Sequence, residues 1–303
     1  MRGSGQAMFG VSAQNSMNNT AGIILEGGAM RSIFTAGVMD FFLDKKIEMP
    51  NVLAVSAGAY AGMNYISGQK GRILTSVVDP MAHEKMLGLG VFAKTGEFFN
   101  MKALFDRIPR VDSPFDFEAF KASGKRFVTS TIDCITGETK YYDKFETLDD
   151  FLQVIRVANS LPLLAKMGYI DGVPMMDGGM ADAIPIRRAI EEGWKKIVVV
   201  FTREASYRKS EHGDIYNSRM VKWMYRKFPG LLKAIDARPS TYNSSIELLN
   251  EMEARGEAFV IRPEGVKLTN NESDPKVLHE YYREGYEQAA KRYDELMEYL
   301  NKE

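Results

Sequence analysis

The fold of this chain is decided by the stretch NVLAVSAGAYAG, residues 51–62. Its first five residues are mostly apolar, as in a buried strand, and the small residues that follow permit a sharp turn into a helix. Ser56 lies at that turn, where the backbone lifts a serine hydroxyl clear of its neighbours, as nucleophilic attack requires. The stretch predicts an α/β unit with Ser56 as candidate nucleophile, although an ordinary strand-to-helix turn has the same pattern.

A second strand, loop and helix precede this stretch. Residues 21–25 are apolar, residues 26–32 read EGGAMRS, and residues 33–43 have the composition of a helix. Adjacent glycines let backbone N–H groups point into a cavity, and the N-terminus of the following helix adds a positive field. We therefore expect the loop to hold an anion, either a phosphate or an oxyanion. The sequence lacks the third glycine of a dinucleotide fingerprint and the Gly-Lys-Ser/Thr of a phosphate loop.

A third segment, YIDGVPMMDGGM at residues 169–180, carries two aspartates on turns. Only Asp177 is followed by two glycines, so it is the preferred candidate for a catalytic carboxylate, and Asp171 is the alternative. An Asp-Gly-Gly by itself is typical of an ordinary turn. It becomes significant because the other two segments occur in the same chain.

In this order and at this separation, the three segments resemble the patatin-like phospholipase family over about residues 22–189. The resemblance implies an α/β fold of the patatin type, a three-layer α/β/α sandwich with a mainly parallel sheet. It also implies hydrolysis of the acyl esters of lipids by a serine and an aspartate without histidine. On this basis Ser56 is the nucleophile and Asp177 is the base.

The resemblance assigns roles to the glycine-rich loop as well. The backbone N–H groups of Gly27, Gly28 and Ala29 form the oxyanion hole in this interpretation, and Arg31 occupies the basic position of the family motif. The positions that support the motif elsewhere are Ala54, Gly58, Gly178 and Gly179.

Three positions depart from the usual glycines of the family: Ala29, Ser32 and Ala54. Each keeps its N–H group as a donor. A positive φ at any of them would nevertheless be strained, because alanine and serine carry a Cβ atom that glycine lacks.

Other catalytic chemistries have little support in the sequence. The three histidines, His83, His212 and His279, lie outside glycine-rich and strand-end contexts. The single cysteine, Cys134, excludes an intrachain disulfide and a cysteine metal cluster, and it is compatible with a reducing compartment. We expect neither a metal nor an organic cofactor. With a formal net charge of −1, we expect no nucleic-acid partner.

Composition predicts three parts. Residues 1–20 are expected to be a disordered tail or an expression remnant, residues 21–205 a catalytic domain, and residues 206–303 a mostly helical C-terminal extension packed on it. The extension is expected to contain helices at 242–255 and 275–300, with a strand at 257–262 between them. Because no stretch approaches the ~20 apolar residues that span a bilayer, we expect a cytoplasmic protein whose membrane contact is peripheral.

Two segments bear on lipid binding. Residues 218–228 have the pattern of a basic amphipathic helix, with Val221, Met224, Tyr225 and Phe228 on one face. That face either packs on the domain or lies on an anionic membrane surface. Residues 160–164, SLPLL, line an acyl pocket or belong to the plain core.

These observations predict a lipid acyl hydrolase, of the phospholipase A or lysophospholipase type, whose partner is a lipid or acyl-ester substrate. Two alternatives stay open. One is an acyltransferase or thioesterase that uses the same serine, and the other is a non-catalytic lipid-binding protein with a degraded site. The sequence does not indicate the oligomeric state.

Overall fold

The computed structural model of the chain describes residues 20–210, 216, 218–265 and 268–302. Within these residues, eight strands form one mixed sheet, and helices cover both of its faces. This architecture confirms the predicted three-layer α/β/α sandwich with a helical C-terminal region. The tail expected at residues 1–20 lies outside the described residues, apart from Thr20.

The sheet is parallel in its centre and antiparallel at one side. Its strands are β1 (Ala21–Leu25), β2 (Asn51–Ala54), β3 (Arg126–Asp133), β4 (Thr139–Tyr142), β5 (Gly168–Ile170), β6 (Val173–Asp177), β7 (Lys196–Val200) and β8 (Ala258–Ile261). Their order is β5-β6-β3-β2-β1-β7-β8, with β4 also paired to β3. The strands from β3 to β8 in this order run parallel, whereas β4, β5 and β6 make antiparallel pairs. Strands β3 and β4 are consecutive along the chain and form a hairpin.

The helices follow the expected alternation with the strands. They are α1 (Ser32–Lys45), α2 (Ala57–Ile66), α3 (Leu89–Thr95), α4 (Phe117–Ala122), α5 (Leu148–Ala158), α6 (Ile186–Glu191), α7 (Arg219–Met224), α8 (Pro229–Ala254), α9 (Pro275–Lys291) and α10 (Tyr293–Asn301). Local signals explain several of the helix starts. The Thr147 side chain, for example, accepts a hydrogen bond from Asp150 N and forms a capping box at the start of α5.

Two apolar cores lie on opposite faces of the sheet. On β1, Ile23 and Leu25 belong to one core and Ile24 to the other, and all three are fully buried. Because side chains alternate along a strand, these two sets point to opposite faces. Helices α1, α2 and α9 pack on the first face, and α6 and α8 pack on the second. This double coverage explains why the central strands are continuously apolar.

The register of β3 brings the ends of two other strands together. Ala54, the last residue of β2, pairs with Thr129, and Asp177, the last residue of β6, pairs with Thr131. Since β4 occupies the opposite edge of β3 over residues 129–132, β2 and β6 share one edge and approach each other end to end. The residues that follow β2 therefore lie beside the end of β6.

The C-terminal helices differ from the sequence expectation. The helix predicted at 275–300 is divided into α9 and α10 at Arg292, which has φ −101° and ψ 13° and donates a hydrogen bond to Val260 O in β8. The helix predicted at 242–255 begins earlier, at Pro229, where proline at the first position favours helix initiation. A bend that depends on a contact with a distant strand leaves no trace in local periodicity.

The basic helix predicted at 218–228 is shorter than expected. Helix α7 ends at Met224, which is 45% exposed and so does not pack on the domain with Val221. Val221 and Tyr225 are buried, as expected, whereas Trp223 is 67% exposed. The helix packs by one narrow edge and presents apolar side chains to solvent.

The C-terminal region is closely joined to the rest of the fold. Strand β8 extends the sheet beside β7. Helices α1 and α9 cross so closely that a Cβ atom on Gly37 would lie 2.0 Å from Tyr282 O, and one on Gly285 would lie 2.0 Å from Phe34 O. Among the described helices, none has the length and apolar character needed to cross a membrane.

Candidate active site

Ser56 lies on a strained turn between β2 and α2. Its φ of 54° and ψ of −133° are rare for a residue with a side chain, and such a conformation costs on the order of 1–3 kcal/mol. The turn is tight enough that a Cβ atom on Gly58 would approach Leu25 O at 2.6 Å. Ser56 is 6% exposed. The structure thus places the serine on the sharp strand-to-helix turn that its sequence predicts.

The side chain of Ser56 is hydrogen-bonded to Asp177. Ser56 Oγ donates to Asp177 Oδ2 at 2.5 Å. The other carboxylate oxygen, Oδ1, accepts a hydrogen bond from Gly179 N at 2.8 Å. Asp177 is completely buried, so its carboxylate is held in one orientation by the serine on one side and the backbone on the other.

Burial changes the acidity of this carboxyl group. Removal from water raises the pKa of Asp177 to about 6, and the hydrogen bonds from Ser56 and Gly179 and the charge of Arg238 limit the rise. At neutral pH the group is still ionised, yet it is more basic than an ordinary aspartate. This is the property that a general base for a serine hydroxyl needs.

The glycine-rich loop lies against the serine. A Cβ atom on Gly27 would come within 2.6 Å of Ser56 Cβ, so only glycine fits there. Within the described chain, the backbone N–H groups of Gly27, Gly28 and Ala29 have no hydrogen-bond acceptor. Three successive backbone donors beside a serine hydroxyl are suited to stabilising a negative oxygen.

Only one of the three departures from the family glycines carries backbone strain. Ala29 has φ 51°, in the left-handed region. Ser32 has φ −70°, and Ala54 lies in the extended strand β2. All three residues keep their N–H groups as donors. The energetic cost of the three departures is therefore the backbone strain at Ala29, roughly 1 kcal/mol.

The loop begins with a buried glutamate, Glu26, for which the sequence indicates no role. Its carboxylate accepts hydrogen bonds from Thr202 N at 2.7 Å, from Thr202 Oγ1 at 2.9 Å and from Tyr242 OH at 2.8 Å. Thr202 follows β7, and Tyr242 lies on α8. Glu26 therefore fastens the loop to the end of the sheet and to the C-terminal region. No local sequence pattern indicates that Thr202 and Tyr242 are the partners of Glu26.

Helix α8 also supports the aspartate turn. Arg238 Nε donates to Gly179 O at 3.1 Å, and a Cβ atom on Gly178 would lie 2.3 Å from Ser130 Oγ. The close approach of β3 thus requires glycine at position 178, and Arg238 from α8 holds the backbone of Gly179. Arg238 was not identified from the sequence.

The remaining candidates lie away from the serine. Asp171 is exposed in the turn between β5 and β6. His83 is exposed, and His279 makes a 2.8 Å contact with Asp79 on the surface. His212 lies outside the described residues. Within the described ranges, no three His, Cys, Asp or Glu side chains are grouped to hold a metal ion.

Two cavities meet at Ser56. The larger, which we call the chamber, has a volume of about 540 Å³ and is lined by the glycine-rich loop, Asp177, residues 161–164 and polar side chains. The smaller, which we call the slot, has a volume of about 80 Å³. Its lining is largely apolar and includes Ile33, Tyr60, Ile73, Val77, Met101 and Phe105. Ala29 and Ser56 line both cavities, so the serine lies between a space lined by both charged and apolar groups and a largely apolar one.

Comparison with known proteins agrees with this geometry. Residues 23–190, more than half of the chain, match the family described as patatin-like phospholipase. The chain therefore belongs to the patatin-like phospholipase family, whose characteristic activity is hydrolysis of lipid esters. Residues 228–301 match a second family, described as a domain of unknown function (DUF6363).

Two individual proteins are similar to the chain. The uncharacterized protein YjjU of Escherichia coli (strain K12) is 24% identical over 265 residues, which cover 85% of this chain and 69% of YjjU. The crystal structure of VipD from Legionella pneumophila overlaps with a TM-score of 0.43 at 14% identity, over 91% of this chain and 67% of VipD. The overlap with VipD is too low to carry an argument about function.

Proposed function

We propose that this protein is a lipid acyl hydrolase that works through an acyl-serine intermediate. Ser56 is the nucleophile, Asp177 the general base, and the loop from Gly27 to Ala29 the oxyanion hole. The observation that carries the proposal is the 2.5 Å hydrogen bond from Ser56 Oγ to the buried Asp177 carboxylate. A serine that only completes a structural turn has no need of a buried carboxylate as its hydrogen-bond partner.

The proposed reaction has two halves. Asp177 accepts the Ser56 proton as Oγ attacks the ester carbonyl carbon, and the oxyanion is stabilised by the loop N–H groups. The alcohol then leaves with the proton from Asp177, which leaves an acyl-serine. In the second half Asp177 takes a proton from water, the resulting attack releases the fatty acid, and the proton returns to Ser56 Oγ. The groups at the site suffice for this cycle.

The two cavities suggest how the ester lies. The slot is apolar and narrow, which suits the first methylene groups of one acyl chain beside the ester, whereas the chamber is wider and carries charged side chains, which suits the alcohol part of a lipid. An ester with its carbonyl at Ser56 would then have one part in each cavity. This arrangement supports phospholipase A or lysophospholipase activity.

The proposal includes transient contact with a membrane. Trp223 and Met220 on α7 are 67% and 53% exposed, and Leu89 on α3 is 81% exposed. The residues that directly follow both helices contact the chamber wall at residues 161–164, because Tyr225 OH accepts a hydrogen bond from Leu163 N and Phe98 N donates to Leu164 O. Exposed apolar side chains beside the entrance of a lipid site suit an enzyme that draws its substrate from a bilayer surface.

The activity is tested with purified full-length protein. Release of fatty acid from monoacyl and diacyl phospholipids should be measured for the wild type, Ser56→Ala and Ser240→Ala, which removes an exposed hydroxyl on α8. We expect release by the wild type and Ser240→Ala only. Release that survives in Ser56→Ala, or its absence from a folded wild type, would contradict the proposal.

Sedimentation with anionic vesicles should weaken in Trp223→Ala relative to the control Ile190→Ala, and equal sedimentation would contradict the membrane contact.

A further inference from the structure

The chamber is unusually rich in positive charge. Four cationic side chains, Arg31, Arg203, Lys209 and Arg238, occur among its described lining residues. The described acidic lining residues are Glu26 and Asp177. Both carboxylates are already engaged, the first by Thr202 and Tyr242 and the second by Ser56 and Gly179. The lining therefore offers cations to a ligand and withholds its carboxylates.

Three of these cations have no carboxylate partner among the described residues. In the part of the chain that the structure describes, Arg31, Arg203 and Lys209 form no ion pair, and Arg31 Nε is buried without a hydrogen-bond acceptor. Burial, and then the nearby charge of Arg203, lowers the pKa of Arg31. Burial, and then the charge of Arg238, lowers the pKa of Lys209 to about 7. Like charges gathered in a half-buried wall are unfavourable until an anion joins them.

The aromatic residues of this wall argue against a cationic headgroup. Arg203 lies 4.0 Å from the centre of the Tyr207 ring, and Lys209 lies 4.5 Å from that of Tyr242. A quaternary ammonium group is usually recognised by free aromatic faces or by carboxylates. Here the protein's own cations lie over these two tyrosine rings, and the carboxylates are engaged. A phosphate without a choline or ethanolamine cap fits this chemistry better than a capped one.

The position of the cations relates them to the ester. Arg31 follows the glycine-rich loop by two residues, and the same chamber is lined by Ser56. The apolar slot opens from the serine separately. An anion bound in the chamber is thus on the alcohol side of an ester whose acyl chain lies in the slot.

We propose that Arg203 and Lys209, together with Arg31, form a subsite for the phosphate of the leaving alcohol, and that the preferred substrate is a monoacyl glycerophosphate with an uncapped phosphate. The assignment of the leaving alcohol rests on the proposed hydrolase function. Arg203 and Lys209 lie between the two family matches, at residues 23–190 and 228–301. Neither match assigns them a role.

Binding tests the subsite independently of catalysis. Calorimetric titration should be carried out on full-length Ser56→Ala protein with glycerol 3-phosphate, glycerol and inorganic phosphate. We expect glycerol 3-phosphate to bind and glycerol to show no binding. Adding Lys209→Gln or Arg203→Gln should weaken binding about tenfold or more, because hydrogen bonds to charged groups are lost. Lys233→Gln, an exposed lysine on α8, should change it less than about twofold.

Three outcomes of the titration decide the assignment. Binding that is equal in Lys209→Gln, Arg203→Gln and Lys233→Gln would overturn the subsite. Inorganic phosphate that binds as tightly as glycerol 3-phosphate would indicate a free-phosphate site and overturn the headgroup assignment. Recovery of binding in Lys209→Arg would support a role for the positive charge. Circular dichroism of Lys209→Gln checks separately that its loss of binding does not come from misfolding.

Activity then separates the subsite from the reaction. With matched acyl chains, wild-type kcat/KM should be about tenfold or more higher for a monoacyl glycerophosphate than for a monoacylglycerol, and Lys209→Gln should abolish that preference. Hydrolysis of both esters without preference would refute the subsite and leave the hydrolase standing. Specific binding of glycerol 3-phosphate without hydrolysis of either ester would support the anion subsite, refute the hydrolase, and remove the leaving-alcohol assignment.

Discussion

The two walls of the chamber differ in what makes them energetically costly. The wall from the patatin-like segment stores backbone strain, with φ 54° at Ser56 and 51° at Ala29, and it buries the Asp177 carboxylate. The wall from later in the chain has no such strain at Arg203 or Lys209 and instead gathers like charges. Functional sites commonly carry such local penalties. The difference suggests that the strained residues of the first wall serve the chemistry, whereas the second wall, together with Arg31, serves recognition.

The largest expected effect comes from the nucleophile. Ser56→Ala removes the only group proposed to form the acyl intermediate, so ester turnover should fall by about 10⁴-fold or more. The loss should apply equally to phosphorylated and neutral esters, as measured by fatty-acid release. A loss restricted to phosphorylated esters would break the division between chemistry and recognition.

Asp177→Asn should separate activity from stability. Turnover should fall by about 10³-fold or more because the amide is not a base. The free energy of unfolding should rise by up to ~3 kcal/mol at pH 7, since the pKa of Asp177 is raised by burial to about 6 and the ionised form is penalised in the folded state. Chemical denaturation checks this, and a destabilised variant would contradict it.

The oxyanion loop is probed by adding one methyl group. Gly27→Ala places a Cβ atom within 2.6 Å of Ser56 Cβ, so the serine or the loop must move, and turnover should fall about 10²-fold. Gly90→Ala is the matched control, because the nearest atom to its added Cβ is 4.0 Å away. Equal activities of the two variants would show that the loop geometry is not used in the reaction.

Acidity gives a smaller and graded effect. Because Asp177 must be ionised to act as a base and its pKa is about 6, kcat/KM should be level above pH 7 and fall about tenfold per pH unit well below 6. Protonation also removes the penalty for burying the carboxylate. The contribution of Asp177 to the free energy of unfolding therefore increases as the pH falls from about 6 towards 4. A rate profile that stays level to pH 5 would contradict Asp177 as the base.

The smallest expected effect concerns the loop itself. Ala29→Gly should raise the free energy of unfolding by about 1 kcal/mol at most, because glycine adopts the positive φ of this position without a Cβ penalty. Thermal unfolding measures the change, with Ala54→Gly in the extended strand as a control that should be destabilised. A destabilised Ala29→Gly would mean that φ 51° is not a source of strain.

The part of the site that was predictable depends on local turns. The turn that carries Ser56 and the Asp-Gly-Gly after β6 are encoded in a few adjacent residues, so the sequence identified both candidates, whereas the three-layer fold was implied by the resemblance. Their meeting was suggested by resemblance only. It depends on the register of β3 with β2 and β6, which no local pattern encodes.

The less predictable part depends on distant contacts. Glu26 binds Tyr242 across 216 positions, and Arg238 reaches Gly179 from α8. The bend at Arg292 similarly follows from a bond to β8. In the sequence, a lysine or arginine that lines a cavity cannot be distinguished from one on the solvated surface. Only the folded chain shows which of them line the chamber. The division into residues 21–205 and 206–303 stays a prediction.

The most direct test of the central claim is intact-mass spectrometry with peptide mapping after exposure to a fluorophosphonate ester. Wild-type protein and Asp177→Asn should be compared, with circular dichroism to confirm that both are folded. We predict a single adduct on Ser56 in the wild type and a strongly slowed reaction in Asp177→Asn, because the hydroxyl then lacks its base. No adduct on the folded wild type, or equal labelling of both proteins, would contradict a serine activated by Asp177.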